Sequence, residues 1–185
     1  MDYLLRHRYF QDMHILEEPL RRGTLASVTW GMAMIRKIEP EARVLVTPAD
    51  QLILREDVFA KDMLEGLDFV GNTGNMLVMG IKATRPETGY GYIQKSDVGH
   101  ENDIYRVKTF SEKPAPEFAR MFVQDGGFLW NTGLQVFRAD TFLNTVLDLQ
   151  SDYQVGLPRM LEQAESDDPK LVPEVFQILP NLSLA

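Results

Sequence analysis

Five short stretches of this sequence hold residue types that can do chemistry. Asp50 lies in Pro48-Ala49-Asp50-Gln51, directly after the β-branched run Arg43–Thr47. Ligands of layered α/β proteins gather at the carboxyl ends of strands. A carboxylate there can hold Mg²⁺, which takes one or two protein carboxylates and fills its shell with water and phosphate. In Phe110-Ser111-Glu112-Lys113-Pro114, Glu112 can accept hydrogen bonds from sugar hydroxyls and Lys113 can hold a phosphate as a point charge. In Thr88-Gly89-Tyr90-Gly91-Tyr92-Ile93, the glycines admit a ligand close to the backbone and the tyrosines supply flat walls. Asn131 sits in the apolar run Phe128-Leu129-Trp130-Asn131-Thr132-Gly133, where a buried amide costs free energy unless something satisfies it. Glu18-Pro19-Leu20-Arg21-Arg22-Gly23-Thr24 puts two arginines beside a helix start, a natural anion or nucleotide contact. Each stretch also has a plain reading: a turn-forming Asp, a solvated ion pair, a glycine-relieved strand, a core amide, a Thr cap. Taken singly, the residues leave both open.

The elements that must position these residues alternate between strand and helix, which predicts a layered α/β fold. Residues 1–11 read as the end of a helix and Met13–Leu16 as a short strand. Thr24 caps a helix to about Ile38, with Leu25, Val28, Met32 and Ile35 on one face. Arg43–Thr47 is a strand stopped by Pro48. A helix from Glu56 or Asp57 turns Phe59, Met63, Leu64 and Leu67 inward, and 71–75 is a turn. Strands follow at Met76–Lys82 and Tyr105–Ser111, with a polar loop at Asp97–Asp103 between. Ala115–Val123 is a helix, and Phe128–Phe137 is a strand interrupted near Asn131. Helical segments near Ala139–Leu149 and Leu157–Ala164, and an apolar segment at Val172–Leu179, close the chain.

The 185 residues suit a single domain, residues 1–185, with 44% hydrophobic and 25% charged residues as in ordinary globular proteins. The net charge of −8 disfavours nucleic acid and anionic membrane surfaces as partners. No apolar run approaches the ~18 residues of a membrane span. There is no cysteine, which rules out disulfide and thiolate chemistry and suits the cytoplasm. His7, His14 and His100 have no metal-like spacing, and there is neither a nucleophile elbow nor a Walker loop.

In their order and spacing, Glu18–Thr24, Pro48–Gln51, Pro86–Ile93, Glu112–Pro114 and Trp130–Gly133 resemble the mannose-1-phosphate guanylyltransferases. Pro86-Glu87-Thr88-Gly89-Tyr90-Gly91-Tyr92-Ile93 is the most specific block. The resemblance implies a three-layer, Rossmann-like nucleotide-diphospho-sugar transferase fold with a mixed, mostly parallel sheet. It implies transfer from GTP to mannose 1-phosphate, giving GDP-mannose and pyrophosphate. By this resemblance Asp50 holds Mg²⁺ and, with Lys113, serves the chemistry. Gly91, Tyr92, Glu112 and Asn131 take the sugar, and Glu18, Arg22 and Thr24 lie on the nucleotide side. Gln51 replaces the family's usual His, and Gly23 its usual Asn. The family's Gly-Gly-x-Gly-x-Arg-Leu loop has no counterpart in these residues. The chain is therefore expected to be N-terminally truncated and impaired in turnover, and to pair with a copy of itself or repack its helices over an open strand edge. The alternative reading is a non-catalytic relative that binds a sugar phosphate or sugar nucleotide.

Overall fold

The computed structural model describes residues 14–99, 103–166 and 172–184. The expected helix over residues 1–11 lies outside the described residues. Eleven elements follow one another among the described residues: α1 (Gly23–Ile38), β1 (Arg43–Val46), α2 (Glu56–Thr73), β2 (Leu77–Lys82), β3 (Tyr92–Gly99), β4 (Tyr105–Ser111), α3 (Pro116–Asp125), β5 (Phe128–Arg138), α4 (Ala139–Leu149), α5 (Tyr153–Glu165) and α6 (Val172–Ile178).

β5 is the hub of the sheet. β2 runs along one of its edges, from Leu77 opposite Val136 to Lys82 opposite Leu129. β1 and β3 share the other edge. β1 covers its carboxyl end, with Val46 opposite Gln135, and β3 covers its amino end, with Tyr92 opposite Trp130. β4 extends the sheet beyond β3, with Ser111 opposite Tyr92. Every one of these pairings is antiparallel. The expected mostly parallel sheet is corrected here, and the reason is topological. The β1–α2–β2 crossover does leave its two strands running the same way, but β5 lies between them and runs against both.

Helices cover the sheet in layers. α1, α4, α5 and α6 join Phe137 in one core, with Phe142, Tyr153, Leu157, Met160 and Phe176 filling it. α2 packs through Met63 and Val70 on Val136, with Leu45 and Leu77 beside them. A smaller core forms where α3 lays Ala119 and Phe122 on Tyr92, Phe128 and Trp130. Burying one such large apolar side chain stabilises the fold by about 1.5–3 kcal/mol.

Several local expectations shift. Residues 14–18 form no strand. α2 runs on through the expected turn to Thr73 and ends because Gly74 adopts φ +68°, a left-handed conformation that glycine takes without steric cost. Leu64 points outward at 63% exposure, since the helix turns Met63 and Gly66 inward instead. β3 carries on through much of the expected polar loop to Gly99. No helix among the described residues is long and apolar enough to cross a membrane.

Candidate functional site

The gap on the edge of β5 positions the site. Between Trp130, the last residue opposite β3, and Gln135, the first opposite β1, that edge has no strand partner. On the β2 side, Val78 pairs with Gln135 and Gly80 with Asn131, so Met79 alone faces Thr132, Gly133 and Leu134. The extra residues make a bulge, a device that bends a strand and re-aims its side chains. Gly133 carries the bend at φ +76°.

Side chains and backbone then satisfy the bulge. The Asn131 amide donates to the Gly91 carbonyl at 2.8 Å. Gly133 N–H donates to Asn131 Oδ1 at 3.0 Å, which leaves the Nδ2 amide as Asn131's outward group. Thr132 Oγ1 donates to the Met79 carbonyl at 2.8 Å and accepts from Leu134 N–H at 3.2 Å.

Three candidate residues meet across this gap. A methyl group placed at Gly91 would stand 2.7 Å from Glu112 Oε2, 3.4 Å from Asn131 Cβ and 3.7 Å from Asn131 Nδ2. Glycine is thus what lets a carboxylate and an amide face each other over bare backbone. Lys113 follows at φ +42°, a left-handed conformation rare for a residue with a side chain, and such strain clusters at functional sites. Its ammonium sits 3.6 Å from Glu112 Oε1, and both side chains are more than half exposed.

Tyr92 is placed differently from its neighbours. Its ring is fully buried, and its hydroxyl accepts from Glu87 N–H and donates to the Glu87 carbonyl, both at 2.9 Å. It pins the loop that carries Gly91. Glu87 in turn accepts from Gly89 N–H at 3.1 Å. That bond first, with Arg85 alongside at 3.2 Å, holds its carboxyl below the usual carboxylate range. The Arg85 guanidinium lies 5.1 Å over the Trp130 ring, and Tyr90 meets the same ring edge-on at 5.4 Å. Arg85 escaped the sequence reading, and Thr132 and Gly133 were read only as part of the Trp130–Gly133 block, without the bulge they form.

The neighbours of Asp50 meet the bulge from the other side. The loop after β1 lays Pro48 against the bulge, so that a methyl group on Gly133 would stand 3.1 Å from Pro48 Cγ. Gln51 Nε2 donates to the Thr132 carbonyl at 2.5 Å. Asp50 between them is exposed and has no hydrogen-bonding or ion-pairing partner among the described residues. No group of three or more metal-binding side chains exists among the described residues. A free carboxylate with open surroundings still fits Mg²⁺, whose remaining positions go to water and phosphate oxygens.

The three nucleotide-side candidates are engaged elsewhere. Glu18 accepts from the Ser27 hydroxyl. Arg22 donates through Nε to the Phe176 carbonyl at 2.9 Å and through Nη2 to the Gln177 carbonyl at 3.1 Å. Thr24 lies inside α1 rather than capping it, and its Oγ1 accepts from Leu184 N–H at 2.8 Å. The segment Leu182–Leu184 thus occupies the start of α1, where Leu25 N–H also donates to the Leu182 carbonyl at 3.2 Å. A groove of about 1020 Å³ lies between α2, β2 and the β3–β4 hairpin. Ile93 and Leu129 line it, but none of the candidate residues does.

Fold and gap together define a layered α/β domain of the nucleotide-sugar transferase kind. The sequence profile described as nucleotidyl transferase matches residues 2–170. The chain belongs to that family. It is 35% identical over 144 residues to a mannose-1-phosphate guanylyltransferase of Escherichia coli, covering 75% of this chain and 31% of that protein. It is 34% identical over 184 residues to the alginate biosynthesis protein AlgA of Pseudomonas fluorescens, covering 97% of this chain and 38% of that one. The chain thus spans about a third of the curated relatives it matches. Among solved structures, a protein described as mannose-1-phosphate geranyltransferase from Thermus thermophilus superposes with TM-score 0.82 at 30% identity, over 96% of this chain and 50% of that one. One described as mannose-6-phosphate isomerase from Helicobacter pylori superposes with TM-score 0.73 at 26% identity, over 90% and 64%.

Proposed function

We propose that this chain carries the sugar-phosphate side of a nucleotidyltransferase site that takes mannose 1-phosphate, with GTP as the nucleotide donor. The observation that carries the reading is the meeting of Glu112, Gly91 and Asn131 across the gap in β5. In the reaction, a phosphate oxygen of mannose 1-phosphate forms a bond to the α-phosphorus of GTP. The bond from that phosphorus to the bridging oxygen breaks, and pyrophosphate leaves. Such a displacement needs positioning and charge neutralisation more than covalent help.

Each residue has a place in this reading. Glu112 accepts hydrogen bonds from two sugar hydroxyls, and Asn131 donates to a third through Nδ2. Gly91 keeps the floor flat enough for the ring to settle. Tyr92 supports the sugar subsite by holding that floor in place. Lys113 opposes the charge of the sugar phosphate. Asp50 would hold Mg²⁺, which when bound neutralises phosphate charge and orients phosphate oxygens.

Calorimetry on the full chain tests the reading. Mannose 1-phosphate is expected to bind, and Glu112→Ala to weaken it at least about tenfold, the loss of a charged hydrogen bond. No binding of mannose 1-phosphate or GDP-mannose at millimolar concentration would sink it. A second reading, binding without transfer, is favoured by the internal bonds of Glu18, Arg22 and Thr24. Pyrophosphate release with mannose 1-phosphate, GTP and Mg²⁺ separates the two, since only the first produces it.

A further inference from the structure

We infer that Gln51 is a positioning residue that links the Asp50 carboxylate to the Asn131 sugar grip, so that a divalent cation and a sugar phosphate bind cooperatively. The inference rests on the reading above. The loop from Thr47 to Arg55 has little else to hold it. Leu52 and Leu54 are 82% and 84% exposed, which leaves the partly buried Ile53 between them as the apolar residue of its middle. Pro48 against Gly133 and Gln51 Nε2 on the Thr132 carbonyl tie its first half to the bulge of β5.

The anchor is itself held by several hydrogen bonds. Thr132 is braced by its hydroxyl to Met79 and Leu134. Asn131, its neighbour, is braced through its backbone to Gly91 and through Oδ1 to Gly133. Asp50 and Asn131 each lie one residue from this bond, so their Cα atoms fall within about 17 Å of each other by chain geometry. A ligand ordering either residue therefore biases the other through a single hydrogen bond. Only a donor suits the position, because the partner is a carbonyl. Glutamine donates at every pH, whereas a carboxylate of equal length could only accept.

Coupling between two sites is reciprocal, and the test measures it from both directions. Mn²⁺ serves as the probe cation, with its free concentration read by electron paramagnetic resonance. The wild-type chain is expected to bind Mn²⁺ about fivefold or more tightly when saturated with mannose 1-phosphate. Gln51→Met, close in shape and without a donor, is expected to lower that factor below about twofold, with the factor taken against the variant's own Mn²⁺ affinity in the absence of mannose 1-phosphate. Gln51→His restores a donor of similar reach and should restore the factor. A merely structural glutamine would shift the melting temperature and leave the ratio alone. A Gln51→Met chain with the full wild-type factor overturns this inference and leaves the proposed function standing. A wild-type chain that binds no mannose 1-phosphate overturns both.

Discussion

Replacing Gly91 with alanine isolates the central geometric claim. The new methyl would stand 2.7 Å from Glu112 Oε2, well inside van der Waals contact, so the carboxylate must leave. It can leave cheaply, since the Glu112 side chain is 56% exposed and swings into solvent. Gly91 shows no left-handed φ, so its backbone accepts a Cβ without strain. Restricting the unfolded chain even offers about 0.4–1 kcal/mol in favour of the variant. Stability should therefore change by less than about 1 kcal/mol. Binding should not be spared, because a carboxylate displaced from the gap forfeits charged hydrogen bonds worth about 1.5–3 kcal/mol. That corresponds to mannose 1-phosphate binding weaker by about tenfold to about 150-fold. Calorimetry on wild type, Gly91→Ala, Glu112→Ala and the double variant gives the cycle. Because both changes remove the same carboxylate, their effects should be far from additive. An intact melting curve with wild-type affinity in Gly91→Ala would refute the reasoning. So would full additivity in the cycle.

Three further outcomes follow from the same structure. Tyr92→Phe removes the hydroxyl that serves both backbone groups of Glu87, and should cost about 1–3 kcal/mol in denaturant unfolding while weakening mannose 1-phosphate binding as the Gly91 loop loosens. The Tyr153 hydroxyl is buried without a partner, and burial pushes its pKa up from 10.0 to about 12. The unfolded chain therefore sheds this proton first, stability falls as the pH rises from 10 towards 12, and Tyr153→Phe should flatten that fall in alkaline melts. The Arg138 guanidinium, bonding Asp140 at 2.5 and 3.0 Å, holds the Asp140 carboxyl below its ordinary value of 3.8. Its contribution is present above that value and is lost as the pH falls through the lowered one. The stability gap between wild type and Asp140→Asn should therefore close in acid melts.

Gly91, Glu112 and Asn131, which the structure brings together, were singled out in the sequence because they sit at strand ends with glycine beside them or as a polar residue in an apolar strand. Helix α1 and strands β1 and β4 followed from apolar spacing, which periodicity reports well. Periodicity says nothing about which strand lies next to which, so the antiparallel hub at β5 was hidden. Residues 71–75 read as a turn because of two glycines, but packing of Val70 at zero exposure carries α2 on to Thr73. The interruption near Asn131 was visible as a polar residue in an apolar strand. Its form, a bulge opposite Met79, depends on β2, a strand distant in sequence. Arg22 read as an anion contact and Thr24 as a helix cap because their partners, Phe176, Gln177 and Leu184, come from the far end of the chain.

The gap itself explains how β5 can leave room for a ligand at the proposed site. Buried backbone groups need partners, and an edge without a neighbouring strand must find them among side chains or loops. Along Asn131–Leu134 this happens residue by residue: Gly91 takes the first amide, Asn131 Oδ1 the third, Thr132 Oγ1 the fourth, and Gln51 serves the Thr132 carbonyl. A third strand filling the gap would satisfy the same groups but would cover Gly91 and exclude any ligand. The bulge satisfies the backbone from within and leaves the space above Gly91 open to Glu112 and the Asn131 amide. The loops that supply those bonds are the ones that bear the chemistry, Asp50 on one and Gly91 on the other. Substitutions that close the gap, such as a bulky residue at Gly133 pressing on Pro48, should therefore damage ligand binding and loop order together.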